Sequence, residues 1–113
     1  MVNPVGVPLR GEVWVCGFAQ PIGPHPAVVL TVNRVAQPLS AVTVVLVTGT
    51  EGPEETHVSI GADCGVKKYP ESYVNCTDLH TVDKARLRRR LGLLSATELR
   101  SVESNIRMIL GLN

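Results

Sequence analysis

Three histidines, two threonines, one aspartate and a run of arginines are the side chains of this sequence that could do more than pack. His25 stands in "IGPHPAVVLT", between Pro24 and Pro26 and just before an apolar run. A proline on each side stiffens the backbone and removes hydrogen-bond donors, so the ring has a rigid mount. An imidazole can be a cation and can exchange a proton near neutral pH. His80 stands in "DLHT", where an apolar stretch meets a turn, and such edges often carry function. Asp78 precedes it by two positions. Thr48 and Thr50 close a β-branched run with hydroxyl groups. Arg86, Arg88, Arg89 and Arg90 form a basic run that either makes a solvated, ion-paired face or follows a phosphate backbone. His57, inside the alternating "THVSI", is expected to serve packing or the surface.

The chain must position these groups with one domain's worth of residues. Its 113 residues suit a single compact unit, and 44% are hydrophobic while only 4% are aromatic, so the core is aliphatic. Residues 1–9 carry two prolines and a glycine and read as a flexible arm; residues 10–113 read as the domain. Strands are expected at 12–18, 26–33, 41–48, 56–60 and 72–79, from β-branched content, period-two alternation and the glycine and proline loops between them. The first part of "TVDKARLRRRLGLLS", from Thr81, reads as a short turn of helix, and Leu87, Leu91 and Leu93 as one face of a sixth strand that also carries Arg89. Ser95 and Glu98 have capping-box spacing. Leu99, Val102, Ile106, Ile109 and Leu110 then fall on one side of a helix over about 96–110, which Gly111 stops. Short strands closed by one amphipathic helix predict a mainly β fold with α, a small barrel.

Several chemistries find no support. The chain has no Walker loop, dinucleotide-binding glycine motif, HExxH or GxSxG. Its histidines, cysteines and acids lack ligand spacing, so neither a metal nor another cofactor is expected. Cys16, Cys64 and Cys76 are odd in number with no CxxC pair, which predicts buried free thiols and a cytoplasmic setting. A net charge of +1, from 11 basic and 10 acidic residues, gives no global polyanion-binding surface and leaves room for a local one. No stretch approaches the ~20 apolar residues of a membrane helix, and "MVNPVGVPLRG" lacks the basic-then-apolar pattern of a secretory leader. No membrane partner is expected.

Four pieces in order, "RGEVWVCGF", "HPAVVLT", "VTVVLVTGT" and "SYVNCTDLHTVDKARLRRRLGLLSATELRSVESNIRMILGL", resemble the MazF/PemK toxins of bacterial toxin–antitoxin systems. The resemblance spans about residues 9–112, and "TDLHTVDKARLRRRLGLLS" is its most specific stretch. It implies an SH3-like barrel of the MazF/CcdB kind with a C-terminal helix. It also implies a homodimer, a cognate antitoxin as partner, and metal-independent, sequence-selective cleavage of single-stranded RNA by the RNA's own 2′-hydroxyl. The family's catalytic threonine corresponds to Thr48. Its arginine before the P-[AV]-[VL]-V stretch corresponds to His25, and the loop "AQPIGP" before it is shorter than is usual. His80 falls where the family often has a basic residue, and Asp78 where it often has glutamine. Together with Arg86 they are the expected RNA-binding residues. Two alternatives stand on the same barrel: a catalytically degenerate module that titrates an antitoxin, suggested by the missing arginine, and a gyrase poison like the related CcdB toxins. The latter carry an aromatic tip on the last helix, whereas this chain ends "RMILGLN".

Overall fold

The structure is a computed structural model and describes residues 7–113. Residues 1–6, most of the expected arm, lie outside the described residues; Leu9, at its end, donates its N–H to Glu12 Oε1 at 2.7 Å. The elements in order are β1 (Glu12–Gly17), β2 (Pro24–Val29), α1 (Asn33–Ala36), β3 (Ala41–Thr48), β4 (His57–Ile60), β5 (Ser72–Asp83), β6 (Leu87–Leu93) and α2 (Ala96–Leu110). Two 3-10 turns, Ala62–Cys64 and Lys84–Arg86, precede β5 and β6.

Every strand pairing is antiparallel, in the order β4-β5-β3-β2-β1-β6. The mainly β fold with its C-terminal helix is as the sequence predicts, but β4 and β6 are the sheet's two edges and no ladder joins them. The barrel is left unclosed because the 62–64 turn lies against β6 instead. A Cβ at Gly92 would fall on the Asp63 carbonyl oxygen, so only glycine lets the two backbones approach.

Alternate residues of the inner strands feed two cores, as the two-residue period requires. Val13, Val28, Val45, Val47, Val74, Leu94 and Val102 pack on the side that carries α2. Trp14, Cys16, Ala27, Val29, Val44, Leu46 and Leu87 pack on the other, beneath Ala36 of α1. Each fully buried valine contributes about 1.5–3 kcal/mol, which is how a core with so few aromatics holds. The helix begins as expected. Ser95 Oγ accepts from Glu98 N–H at 3.1 Å, and Glu98 Oε1 accepts from Ser95 N–H at 2.8 Å.

Besides one- or two-residue shifts at the starts of β2 and β4, the elements differ from the sequence expectation as follows. β2 ends at Val29 rather than residue 33, because Asn33–Ala36 wind into α1. β1 begins at Glu12 as expected but ends one residue sooner. β5 runs on to Asp83, so His80 lies inside a strand and the helical turn shrinks to Lys84–Arg86. The β1–β6 ladder shifts register twice, which breaks the expected face: Leu87 is buried on one side, Leu91 packs on the other, and Leu93 is exposed. On α2, Val102, Leu99, Ile106 and Ile109 face the core, whereas Leu110 is exposed.

Candidate nucleic-acid interface

His25 owes its position to the prolines around it. The β1–β2 turn closes through Phe18 N–H to Gly23 O at 3.1 Å, with Gly23 at φ 64°, a conformation suited to glycine. In the β2–β3 ladder Leu30 N–H donates to Thr43 O at 2.9 Å. The register Val28↔Val45, carried two residues further, sets Pro26 opposite Val47. In an antiparallel ladder that pair should exchange backbone bonds, but Pro26 has no N–H to give. The His25 ring supplies the donor instead, with Nε2 2.7 Å from Val47 O. A carbonyl only accepts, so Nε2 carries the hydrogen and Nδ1 is left as the nitrogen free to gain or lose a proton.

The same register places Thr48 across from His25, at the end of β3. Thr48 Oγ1 accepts from Thr50 N–H at 3.1 Å, which leaves the hydroxyl hydrogen free to donate. Asp78 arrives by a bulge. Val45 pairs with Leu79 and Val47 with Val74, so Leu46 alone faces residues 75–78 of β5. The extra residues are held by Asn75 Oδ1, which accepts from Thr77 N–H at 3.1 Å and Thr77 Oγ1 at 2.7 Å. The bulge re-aims its side chains, as such features do next to functional sites. His25, Thr48, Asn75 and Asp78 then line one open cleft of about 310 Å³, with Ile22 at its rim.

A second cleft, about 340 Å³, adjoins it and is lined by Gly17, Phe18, His80, Asp83 and Arg86. His80 Nε2–H donates to Asp78 Oδ1 at 2.7 Å, so one hydrogen bond joins the two clefts. Phe18 meets the His80 ring edge to face, centroids 5.1 Å apart. Arg86 Nη1 donates to Gly17 O at 3.0 Å, which anchors one end of its guanidinium. The five expected site residues therefore divide as His25, Thr48 and Asp78 in one cleft and His80 and Arg86 in the next.

The arginine run does not act as one patch. Arg88 reaches over Gly17, where a Cβ would touch its guanidinium. Arg89 lines a separate cleft of about 240 Å³ with Lys67 and Lys68. Arg90 Nε donates to the buried carboxylate of Glu12 at 2.7 Å. The bulges of β6 turn these neighbours to different sides. Phe18 and Asn75 carry no sequence signal that points to this site; Asp83 stands in the Thr-Val-Asp-Lys turn of the most specific stretch, with no role assigned to it from the sequence.

Cys16 pairs across the ladder with His25, directly behind it. Burial holds its thiol above the ordinary range, outweighing the pull of Arg86 and Arg88, so at neutral pH it is not a nucleophilic thiolate. His57 is half-buried with Nδ1 2.8 Å from Thr56 Oγ1, consistent with a packing role. Among the described residues no group of three or more His, Cys, Asp or Glu is placed to hold a metal ion, and no helix is long and apolar enough to cross a membrane.

The family model for "PemK-like, MazF-like toxin of type II toxin-antitoxin system" matches residues 9–110. No curated protein sequence matches. Among solved structures, an endoribonuclease from a mycobacterial species is 25% identical, with a TM-score of 0.79 over 94% of this chain and 93% of that one. An endoribonuclease in complex with its cognate antitoxin, also mycobacterial, is 25% identical, with a TM-score of 0.82 over 94% and 97%. The MazE–MazF complex of Deinococcus radiodurans, at 23% identity and a TM-score of 0.78 over 95% and 98%, shares the fold.

Proposed function

Because the chain belongs to the PemK-like, MazF-like toxins of type II toxin–antitoxin systems, we propose that it is an endoribonuclease whose reaction centre is the His25–Thr48 cleft. The observation that carries this reading is the fixed tautomer of His25. Its Nε2–H is committed to Val47 O, which leaves Nδ1 as the proton-exchanging atom beside a hydroxyl donor. The two mycobacterial endoribonucleases support the class of reaction.

The substrate supplies its own nucleophile. The 2′-oxygen forms a bond to the adjacent phosphorus while the bond from phosphorus to the 5′-oxygen breaks. The products are a 2′,3′-cyclic phosphate and a 5′-hydroxyl. One proton leaves the 2′-oxygen and one is taken up by the departing 5′-oxygen. His25 Nδ1 handles one of these transfers, and in its protonated form adds positive charge beside the phosphorane. Thr48 donates its hydroxyl hydrogen to a non-bridging oxygen. Asp78, His80 and Arg86 hold the strand beside the cleaved bond, Arg86 by charge and Asp78 by orienting the His80 ring. Cleavage then proceeds on single-stranded RNA, whose unpaired bases can reach an open cleft.

The same reading gives this toxin a cognate antitoxin and a homodimer. The dimer would cover apolar side chains left exposed, such as Leu93, Met108 and Leu110, with one self-complementary surface. The antitoxin would cover the clefts with an acidic segment that folds on contact. The degenerate alternative keeps one point in its favour, the histidine in the slot of the family's arginine. Total RNA treated with the purified chain in EDTA, followed by sequencing of 5′-hydroxyl ends, separates the two. Discrete new ends that are absent from untreated RNA support the endoribonuclease. An unaltered end profile supports the binding module.

A further inference from the structure

We propose that the Phe18–Arg86 cleft is a guanine-selective base pocket, so that this chain cleaves RNA next to a guanine. The inference rests on the endoribonuclease reading and names the base it selects.

The cleft holds a stacking surface and two polar walls. Phe18 and His80 supply the surface: both are half-buried, and their edge-to-face contact fixes the angle between the rings. An unpaired base laid against such aromatic groups is held without regard to sequence. Selectivity has to come from the walls. On one, Arg86 is pinned through Nη1 to Gly17 O, so the guanidinium is held in place with further N–H donors to spare. On the other, Asp83 lines the cleft and uses Oδ1 to accept from Ala85 N–H at 2.9 Å, which leaves Oδ2 as a charged acceptor. The cleft thus presents a fixed donor fork and a fixed acceptor.

Guanine is the base that answers both. Its O6 and N7 accept together from a guanidinium, and its N1–H and N2–H₂ donate together to a carboxylate. Adenine presents an amino group where guanine has O6, so it would set a donor against Arg86. Uracil has a single N–H for the carboxylate. Cytosine offers Asp83 only its amino group, where guanine presents N1–H and N2–H₂ together. The Asp78–His80 hydrogen bond links this pocket directly to the His25–Thr48 cleft.

The test is fluorescence-anisotropy binding of the full chain to labelled 2′-fluoro hexaadenylates, which lack the attacking hydroxyl. One guanine is placed at each position in turn. At one position guanine should tighten binding at least tenfold, the scale of a bidentate base contact. Inosine, without the N2 amine, and 7-deazaguanine, without N7, should each lose severalfold there. Asp83→Asn should erase the difference between guanine and inosine, and Arg86→Gln the difference between guanine and 7-deazaguanine. Asparagine can still cap Ala85, so the first variant keeps the turn. A preference under twofold at every position, equal binding of cytosine or uracil at the favoured one, or variants with undiminished preference overturn the inference. The same preparation is assayed on total RNA. Cleavage without guanine preference overturns this inference alone, whereas neither binding nor cleavage overturns the endoribonuclease reading with it.

Discussion

Substituting His25 separates the ladder bond that its ring makes from the proton exchange proposed for it. Nε2–H repairs the gap left by Pro26, and Nδ1 exchanges a proton in the proposed reaction. His25→Ala removes both. Val47 borders the open cleft, so its carbonyl would exchange the ring for water. The net loss of one such hydrogen bond is about 0.5–1.5 kcal/mol, which lowers the melting temperature of a domain this size by roughly 2–8 °C. His25→Gln restores the donor, because the glutamine amide can reach the place of the ring's Nε2, and should melt within about 3 °C of the parent. Neither variant can exchange the proton, so both should lose about 10²–10⁴-fold in cleavage rate. His25→Arg adds a distinction: it supplies charge without proton exchange. If charge alone is what the ring supplies, the arginine variant should keep most of the parental rate; if proton exchange is needed, it should fall about as far as alanine. The assay is single-turnover cleavage of a short labelled RNA, paired with thermal melting followed by circular dichroism. A His25→Gln protein that cleaves at the parental rate would refute the reasoning. The ring would then be a substitute ladder donor and nothing more.

Other outcomes follow from the same structure. Glu12, 5% exposed, accepts from Leu9 N–H, Trp14 Nε1–H and Arg90 Nε–H; Arg90 is half exposed and can turn to water, so Glu12→Ala should cost about 1–3 kcal/mol in urea unfolding through the stranded N–H donors, and a loss under about 0.5 kcal/mol would contradict it. Burial pushes the Cys76 thiol from 9.0 up to about 11. Its stabilising contribution is therefore complete below about pH 9 and is lost as the pH rises through the folded value, because the unfolded thiol ionises first. Urea unfolding between pH 8 and 11 should show that decline and Cys76→Ala should flatten it; equal slopes would speak against the burial argument. Light scattering at micromolar concentration should give twice the 12.1 kDa chain mass, and a monomer would count against the dimer.

Much of the frame is legible in the sequence because it is local. The run "AVTVVLVT" is strand β3 since β-branched side chains fit a doubly covered strand. Ser95 and Glu98 cap α2 through atoms three residues apart. What escapes the sequence depends on partners. The length of β5 and the placement of Asp78 follow from the excess of residues 75–78 over Leu46, which exists only once two strands are in register. The broken face of β6 has the same origin, and with it the dispersal of Arg88, Arg89 and Arg90. Leu110 fits the helical stripe but is exposed, which the stripe alone does not tell. At the candidate site, "PHP" signals a stiffly mounted histidine. Why the second proline matters is visible only from the facing strand, where Val47 O needs a donor.

The central claim is that this chain breaks RNA by attack of the substrate's 2′-hydroxyl at the His25–Thr48 cleft. It is tested most directly on one defined RNA oligonucleotide cleaved by the purified chain in EDTA, with the products weighed by mass spectrometry. The expected products are a 5′ fragment ending in a 2′,3′-cyclic phosphate and a 3′ fragment beginning with a 5′-hydroxyl, with cleavage abolished when the nucleotide before the cut is made 2′-deoxy. Fragments with a 5′-phosphate, or undiminished cleavage of the 2′-deoxy substrate, would contradict that claim.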